Sequence, residues 1–184
     1  MKLLAFAGST RKDSYNSKLI NEVARLAKEH TKIAVTVIHL EDYPTPFFDE
    51  DLEKKIVTPE NIKLLRKVIT EHDAILISSP EYNGSVPAVL KNTIDWLSRD
   101  HEFMKSRRVI LYSASPSPYG GTRGLKHLTD ILNNLGVKLN DKQFSLPNAF
   151  SAFNAENQLN STHQTEISEN LQKLQPPESA VQSA

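Results

Sequence analysis

The run Asp73-Ala74-Ile75-Leu76-Ile77, continued by Ser78-Ser79-Pro80-Glu81-Tyr82-Asn83-Gly84-Ser85-Val86-Pro87, decides how the rest of the chain is read. Its first part is apolar without polar alternation, the mark of a strand buried on both faces of a parallel sheet. Small and polar residues then break the run. Pro87 opens the segment Ala88-Val89-Leu90-Lys91-Asn92-Thr93-Ile94-Asp95-Trp96. Its fixed φ suits a first helical turn and its missing N–H costs nothing there, so a helix is expected to start at Pro87. In open α/β sheets ligands sit beyond the carboxyl end of such a strand. The loop offers one aromatic ring, one amide and one glycine, which suits a flat heteroaromatic cofactor with polar edges.

Working outward, strand and helix patterns alternate. Leu3 to Ala7 reads as a first strand, and Leu19, Val23, Leu26 and Ala27 mark one face of a helix that begins near Ser14. Ile33 to Leu40 is a β-branched second strand, followed by a long connection through Tyr43-Pro44-Thr45-Pro46-Phe47-Phe48. Ile62, Leu65 and Ile69 mark a second helix, for which Thr58-Pro59-Glu60 supplies an N-cap followed by proline. Ala74 to Ser78 is the third strand, Val89 to Leu97 the third helix and Arg108 to Ser113 the fourth strand. Leu125, Leu128, Leu132 and Leu135 form a helical stripe with Gly136 as C-cap. A fifth strand falls within Val137 to Leu146, and Ile167, Leu171 and Leu174 suit a last helix.

Strands alternating with helices predict an α/β fold with right-handed crossovers. Five strands in this length point to a flavodoxin-like three-layer sandwich, its parallel sheet ordered 2-1-3-4-5 with the switch point between strands one and three. Residues 1–174 are read as a single domain, and 175–184, which begins Gln175-Pro176-Pro177, as a disordered tail.

The loops after strands one and three are the unusual ones, and they flank that switch point. The first, Gly8-Ser9-Thr10-Arg11-Lys12-Asp13-Ser14-Tyr15-Asn16-Ser17, brings hydroxyls, an amide and a guanidinium to a helix N-terminus. Free backbone N–H groups and the positive dipole end favour an anion, and arginine forks onto phosphate oxygens. Ser14 also suits an ordinary N-cap. The stretch is neither a Walker A motif nor a Rossmann fingerprint, because it lacks Gly-Lys-Ser/Thr and holds one glycine. After strand four, Ser113-Ala114-Ser115-Pro116-Ser117-Pro118-Tyr119-Gly120-Gly121-Thr122-Arg123 offers a glycine pair that permits close backbone approach and a tyrosine able to stack.

Composition removes whole classes of function. Lysine plus arginine equals aspartate plus glutamate at 22 each, so no nucleic-acid or anionic-membrane partner is expected. There are no cysteines, which excludes disulfides, thiol catalysis and thiolate metal sites. The apolar run Leu3 to Ala7 is too short for a signal-peptide core, and no run approaches membrane-spanning length, so a cytoplasmic protein is expected. The six histidines show no metal-ligand spacing, so no metal is assigned. No serine occupies a Gly-x-Ser-x-Gly elbow.

The pattern Gly8-Ser9-x-Arg11-x-x-Ser14-x-Asn16, the long motif Pro80-Glu81-Tyr82-Asn83-x-Ser85-x-Pro87-x-x-Leu90-Lys91-Asn92-x-Ile94-Asp95-Trp96 and the Gly120-Gly121 loop resemble the NADPH-dependent FMN reductase family. That family includes bacterial quinone, azo-compound and chromate reductases. The resemblance runs from Met1 to about Phe150. It implies that Ser9, Arg11, Asn16 and Ser17 bind the FMN phosphate. It implies that Pro80, Glu81, Tyr82, Asn83 and Gly84 line the isoalloxazine ring, largely through backbone groups, with Ser115 and Gly120 added from the third loop. Ser85 is expected to support the turn or cap the third helix, Lys91 and Asn92 to serve packing or subunit contacts, and Trp96 to lie in the core in preference to a dimer interface.

A flavin enzyme of this kind needs no acid–base side chain, because the cofactor itself takes up hydride, so no catalytic residue is assigned. The implied function is NAD(P)H-dependent oxidoreduction through FMN. Electrons would pass in a ping-pong cycle to a quinone, free flavin, azo or nitro compound, or metal oxyanion. A homodimer or homotetramer is implied by the same resemblance. The alternative is a flavodoxin-type FMN electron carrier with little NAD(P)H activity. Such carriers are usually strongly acidic for docking, whereas this chain has no formal net charge.

Overall fold

Apolar residues on consecutive positions put the centre of the sheet where the sequence places it. In the strands β1 (Lys2–Ala7), β3 (Ala74–Ser78) and β4 (Arg108–Ala114), every residue beyond the first of β1 and β4 is buried, as strands covered on both faces require. The strand β2 (Ala34–His39) alternates exposed and half-buried positions and forms an edge. The computed structural model describes residues 1–174, and the disordered tail expected at 175–184 lies outside them.

The remaining elements are α1 (Tyr15–His30), α2 (Glu50–Ile56), α3 (Glu60–Thr70), α4 (Ala88–Leu97), α5 (His101–Lys105), α6 (Thr122–Asn134), β5 (Lys138–Leu139), β6 (Phe144–Leu146), α7 (Ala149–Ala152) and α8 (Ser161–Gln172). The strands are all parallel, in the order β2-β1-β3-β4-β5, which is the order expected, and β6 also pairs with β4. Side chains leave β1 alternately. Leu3 and Ala5 join one core with Leu19, Val23 and Leu26 of α1 and Ile167 and Leu171 of α8. Leu4 and Phe6 join the other with Ile62, Leu65, Leu90, Trp96, Leu125 and Leu128 from α3, α4 and α6. Each such buried leucine or phenylalanine contributes roughly 1.5–3 kcal/mol by leaving water.

The register aligns the strand ends. Ala7 pairs with Ser78, and Ser78 with Tyr112, so the loops after β1, β3 and β4 leave from one edge.

Several boundaries differ from those expected, each for a local reason. Pro87 is not the first helical residue but the capping one, with ψ of 143°, and its carbonyl accepts the Lys91 N–H at 2.9 Å. Pro59 likewise caps α3 with ψ of 144°, displacing Thr58 from that role. The fifth strand is split. Asn140 N–H still reaches the Val109 carbonyl, but the polar stretch Asn140–Gln143 leaves the sheet, and Phe144 rejoins it beside Tyr112. The short helices α2, α5 and α7 have too few turns to show a stripe in the sequence.

Candidate functional site

Loop one begins where Gly8 bonds to the end of β3, its N–H donating to the Ser78 carbonyl at 2.9 Å. The Ser9 hydroxyl accepts the Arg11 N–H and curls the loop back toward α1. Ser14 caps α1, accepting the Asn16 N–H at 3.2 Å. The first turn of this sixteen-residue helix carries no acidic residue, so its positive end is not neutralised from within. Arg11 is exposed, with one N–H on the Asp13 carbonyl at 2.7 Å and its guanidinium 6.0 Å from the centre of the Tyr15 ring.

Asn16 ties three elements together. Its Oδ1 accepts from the Ser78 hydroxyl at 2.8 Å and from the Ala114 N–H at 2.9 Å, while Nδ2 donates to the Ala114 carbonyl at 2.9 Å. It is 2 % exposed, so this amide fixes the ends of β3 and β4 against α1. An amide has four hydrogen-bonding positions, and three are used here.

Loop two is a tight turn. Asn83 and Gly84 have φ of 52° and 75°, and Tyr82 and Ser85 exchange both backbone hydrogen bonds at 3.0 Å. This is the two-residue turn that Asn-Gly favours, because both central residues must be left-handed. Ser85 supports the turn in this way and does not cap α4, which has no side-chain cap; its hydroxyl lies 3.1 Å from His127 Nδ1. The Glu81 carboxylate is bound to the start of α6. Oε2 accepts the backbone N–H groups of Arg123 and Gly124 at 3.0 Å, and Oε1 accepts Arg123 Nε at 2.9 Å. Helix α6 begins at Gly121, which has no side chain to cap it, so Glu81 caps it from another loop.

Loop three is held from within by the Ser115 hydroxyl, which accepts the Ser117 N–H and donates to the Ser117 hydroxyl. Gly120 and Gly121 do permit a close approach, but to protein. A Cβ at Gly120 would stand 2.2 Å from Ser145 Oγ, and one at Gly121 would stand 2.1 Å from Ser113 Oγ. Tyr119 is 64 % exposed, with the Arg123 guanidinium 5.5 Å from its ring centre.

Arg11, Asn16, Pro80, Glu81, Tyr82 and Ser115 come together as walls of one cleft of about 220 Å³. Ser9, Ser17, Asn83, Gly84 and Gly120 stand outside those walls, Ser17 in the first turn of α1 and the others as loop geometry. The sequence reading missed Tyr15. It lines the cleft, and its far side stacks on Phe153 at 6.4 Å between ring centres and 10° between planes. The signal was an aromatic directly after the cap of a loop already singled out.

This cleft spans the carboxyl ends of β1, β3 and β4. The family model for NADPH-dependent FMN reductase matches residues 1–151. The chain belongs to the NADPH-dependent FMN reductase family. As a member of that family it is an oxidoreductase with FMN as cofactor and NAD(P)H as co-substrate. It is 34 % identical over 150 residues to an NAD(P)H:quinone oxidoreductase of Solanum tuberosum, covering 82 % of this chain and 76 % of that one. It is 33 % identical over 178 residues to an NAD(P)H-dependent FMN reductase of Pseudomonas aeruginosa, covering 95 % and 94 %. The solved flavoenzyme NAD(P)H:(acceptor) oxidoreductase FerB of Paracoccus denitrificans superposes with a TM-score of 0.79 at 25 % identity, covering 94 % and 93 %.

The donor set fits the family's cofactor. A first helical turn without acidic residues and the guanidinium of Arg11 favour a phosphate, and the Glu81 carboxylate that would oppose an anion is bound to Arg123 and α6.

Proposed function

We propose that this member of the family reduces neutral or anionic oxidants at the expense of NAD(P)H in a ping-pong cycle, both substrates using one open edge of the sheet in turn. The observation that carries this reading is the convergence of Arg11, Tyr15, Pro80, Tyr82 and Ser115, from three loops, on one cleft at the switch point of the sheet.

In this reading Arg11, Ser17 and the first-turn N–H groups of α1 hold the phosphate, and Ser9 shapes the loop that presents Arg11. The backbone of residues 80–84 lies along the ring edge, with Tyr82 half exposed beside it and Ser115 and Gly120 bordering the far side. Asn16 and the Glu81 carboxylate keep the three loops in fixed relation. Bound FMN supplies two-electron uptake from the nicotinamide and delivery to the oxidant. The chain itself contributes orientation and exclusion of water, with no acid–base side chain. Candidate oxidants are quinones, free flavin, azo and nitro compounds and metal oxyanions. The names of the Solanum and Paracoccus relatives support the quinone and general-acceptor readings. The proposal includes a cytoplasmic homodimer or homotetramer; sedimentation velocity tests the assembly. Among the described residues no helix is long and apolar enough to cross a membrane.

Anaerobic addition of NADPH to FMN-loaded protein tests the reading. Fast bleaching of the flavin absorbance is expected. Slow or absent bleaching of bound flavin would instead favour an electron carrier.

A further inference from the structure

The segment that follows β6 touches two of the three loops framing the cofactor cleft. Asn148 and Ala149 donate their N–H groups to the Ser117 and Ser115 carbonyls of loop three, at 3.1 and 2.9 Å. Farther along, Phe153 stacks on Tyr15, where loop one enters α1, with the two rings 10° from parallel. Phe153 lies past residues 1–151, which match the family model, and belongs to none of the three loops.

This segment is held at its far end as well. Phe153 forms an antiparallel bridge with Leu159. The Leu159 N–H donates to Glu22 Oε1 of α1 at 3.1 Å, and Leu159 is buried in the α1–α8 core. Asn154 closes the turn between them, its Oδ1 accepting the N–H groups of Glu156 and Gln158 at 3.1 and 2.8 Å. Phe153 is therefore a fixed, half-buried surface against which Tyr15 rests.

The Tyr15 ring in turn gathers two cations. The Arg11 guanidinium lies 6.0 Å from its centre and the Lys18 ammonium 5.8 Å. An aromatic face attracts a cation at about 6 Å. Arginine is long and rich in rotamers, and a guanidinium held in place before an anion arrives loses less freedom on binding it.

We propose that Phe153 is a positioning residue for the cofactor phosphate: it holds the Tyr15 ring, and the ring holds the Arg11 guanidinium at the cleft wall. The proposal rests on the reading of loop one as the phosphate site, and it gives the segment after β6 a part in binding FMN.

The test titrates the full-length, flavin-free chain with FMN as wild type, Phe153→Ala, Phe153→Leu and Phe153→Tyr, each also in an Arg11→Ala background. Phe153→Leu keeps an apolar side chain but has no flat face. Kd should rise about three- to tenfold in the Ala and Leu variants, the scale of an aromatic pair, and stay within about twofold of wild type in Phe153→Tyr. In the Arg11→Ala background the same substitutions should change Kd by less than about twofold, because the group they position is gone. NMR relaxation of flavin-free protein should show the Arg11 Nε–Hε bond more mobile in Phe153→Leu than in wild type. Equal rises in Kd with and without Arg11 would make Phe153 a general support of the fold and overturn the proposal. Wild-type affinity in both Phe153→Ala and Phe153→Leu, or unchanged Arg11 mobility, would overturn it too. Failure of wild-type protein to bind FMN would sink the cofactor reading instead, while the Arg11 mobility still decides whether Phe153 positions that side chain.

Discussion

Glu81 caps a helix it does not belong to: its Oε2 accepts the backbone N–H of Gly124, and that of Arg123, at 3.0 Å each. The Glu81 side chain is 8 % exposed, whereas Arg123, its ion-pair partner, is 66 % exposed. The backbone bonds therefore matter more than the ion pair, because solvent screens an exposed guanidinium. This carboxylate joins loop two to the first turn of α6, and the Ser85 hydroxyl meets His127 farther along the same helix.

Replacing Glu81 by alanine leaves the first turn of α6 without a cap. A loss of about 0.5–2 kcal/mol in urea unfolding is expected, the range of a helix N-cap. Glu81→Gln keeps an acceptor oxygen and should recover part of that loss. Equal stability of wild type and Glu81→Ala would show that the cap contributes nothing.

Two glycines separate conformational strain from crowding. Gly84 has φ of 75° and open space for 4 Å around the position a Cβ would take, whereas Gly121, at φ of 83°, would place a Cβ 2.1 Å from Ser113 Oγ. Gly84→Ala should cost about 1–2 kcal/mol, the penalty of a left-handed non-glycine residue. Gly121→Ala adds an overpacking cost of roughly 1–3 kcal/mol. Chemical denaturation of both variants should rank them in that order, and the reverse ranking would contradict the packing described.

Strand composition made the sheet legible. Leu3 to Ala7, Ala74 to Ser78 and Arg108 to Ser113 are local signals, and their order follows from the alternation with helices. What stayed hidden depends on partners far along the chain. Asn16 reads as a ligand group in loop one, and only the fold shows that its amide, on the cleft wall, also ties Ala114 to Ser78. Gly120 and Gly121 read as backbone that a ligand can approach, and only the fold shows that Ser145 and Ser113 occupy the places their Cβ atoms would take. The Asn83-Gly84 turn, by contrast, was readable from the dipeptide alone. Pro87 was misplaced by one residue because proline's φ suits both the cap and the first helical position, and ψ distinguishes them.

Among the described residues the Arg11 guanidinium makes a single hydrogen bond, to the Asp13 carbonyl, and Arg11 is exposed, so its removal should leave the fold intact. Arg11→Ala is expected to weaken FMN binding by roughly 1.5–3 kcal/mol, the scale of a charge-assisted hydrogen bond. This corresponds to a roughly 10- to 150-fold rise in Kd by fluorescence titration. An unchanged Kd would place the phosphate elsewhere.

Tyr112 makes stability sensitive to alkaline pH. Burial in the α1–α8 core, where the residue is 1 % exposed, pushes its phenol up from 10.0 to about 12; Asn170 pulls the other way and Glu166 adds a smaller upward push. Neither amide atom of Asn170 makes a hydrogen bond of ordinary geometry, so burial decides the direction. The folded state therefore holds this proton more tightly than the unfolded chain. The stabilisation is complete below pH 10 and is lost as pH rises toward 12, at about 1.4 kcal/mol per pH unit while only the unfolded chain is ionised. Tyr112→Phe keeps the ring and removes the proton, so its unfolding free energy should fall less steeply than that of wild type between pH 10 and 12. Parallel pH profiles for the two proteins would assign the alkaline loss to other groups.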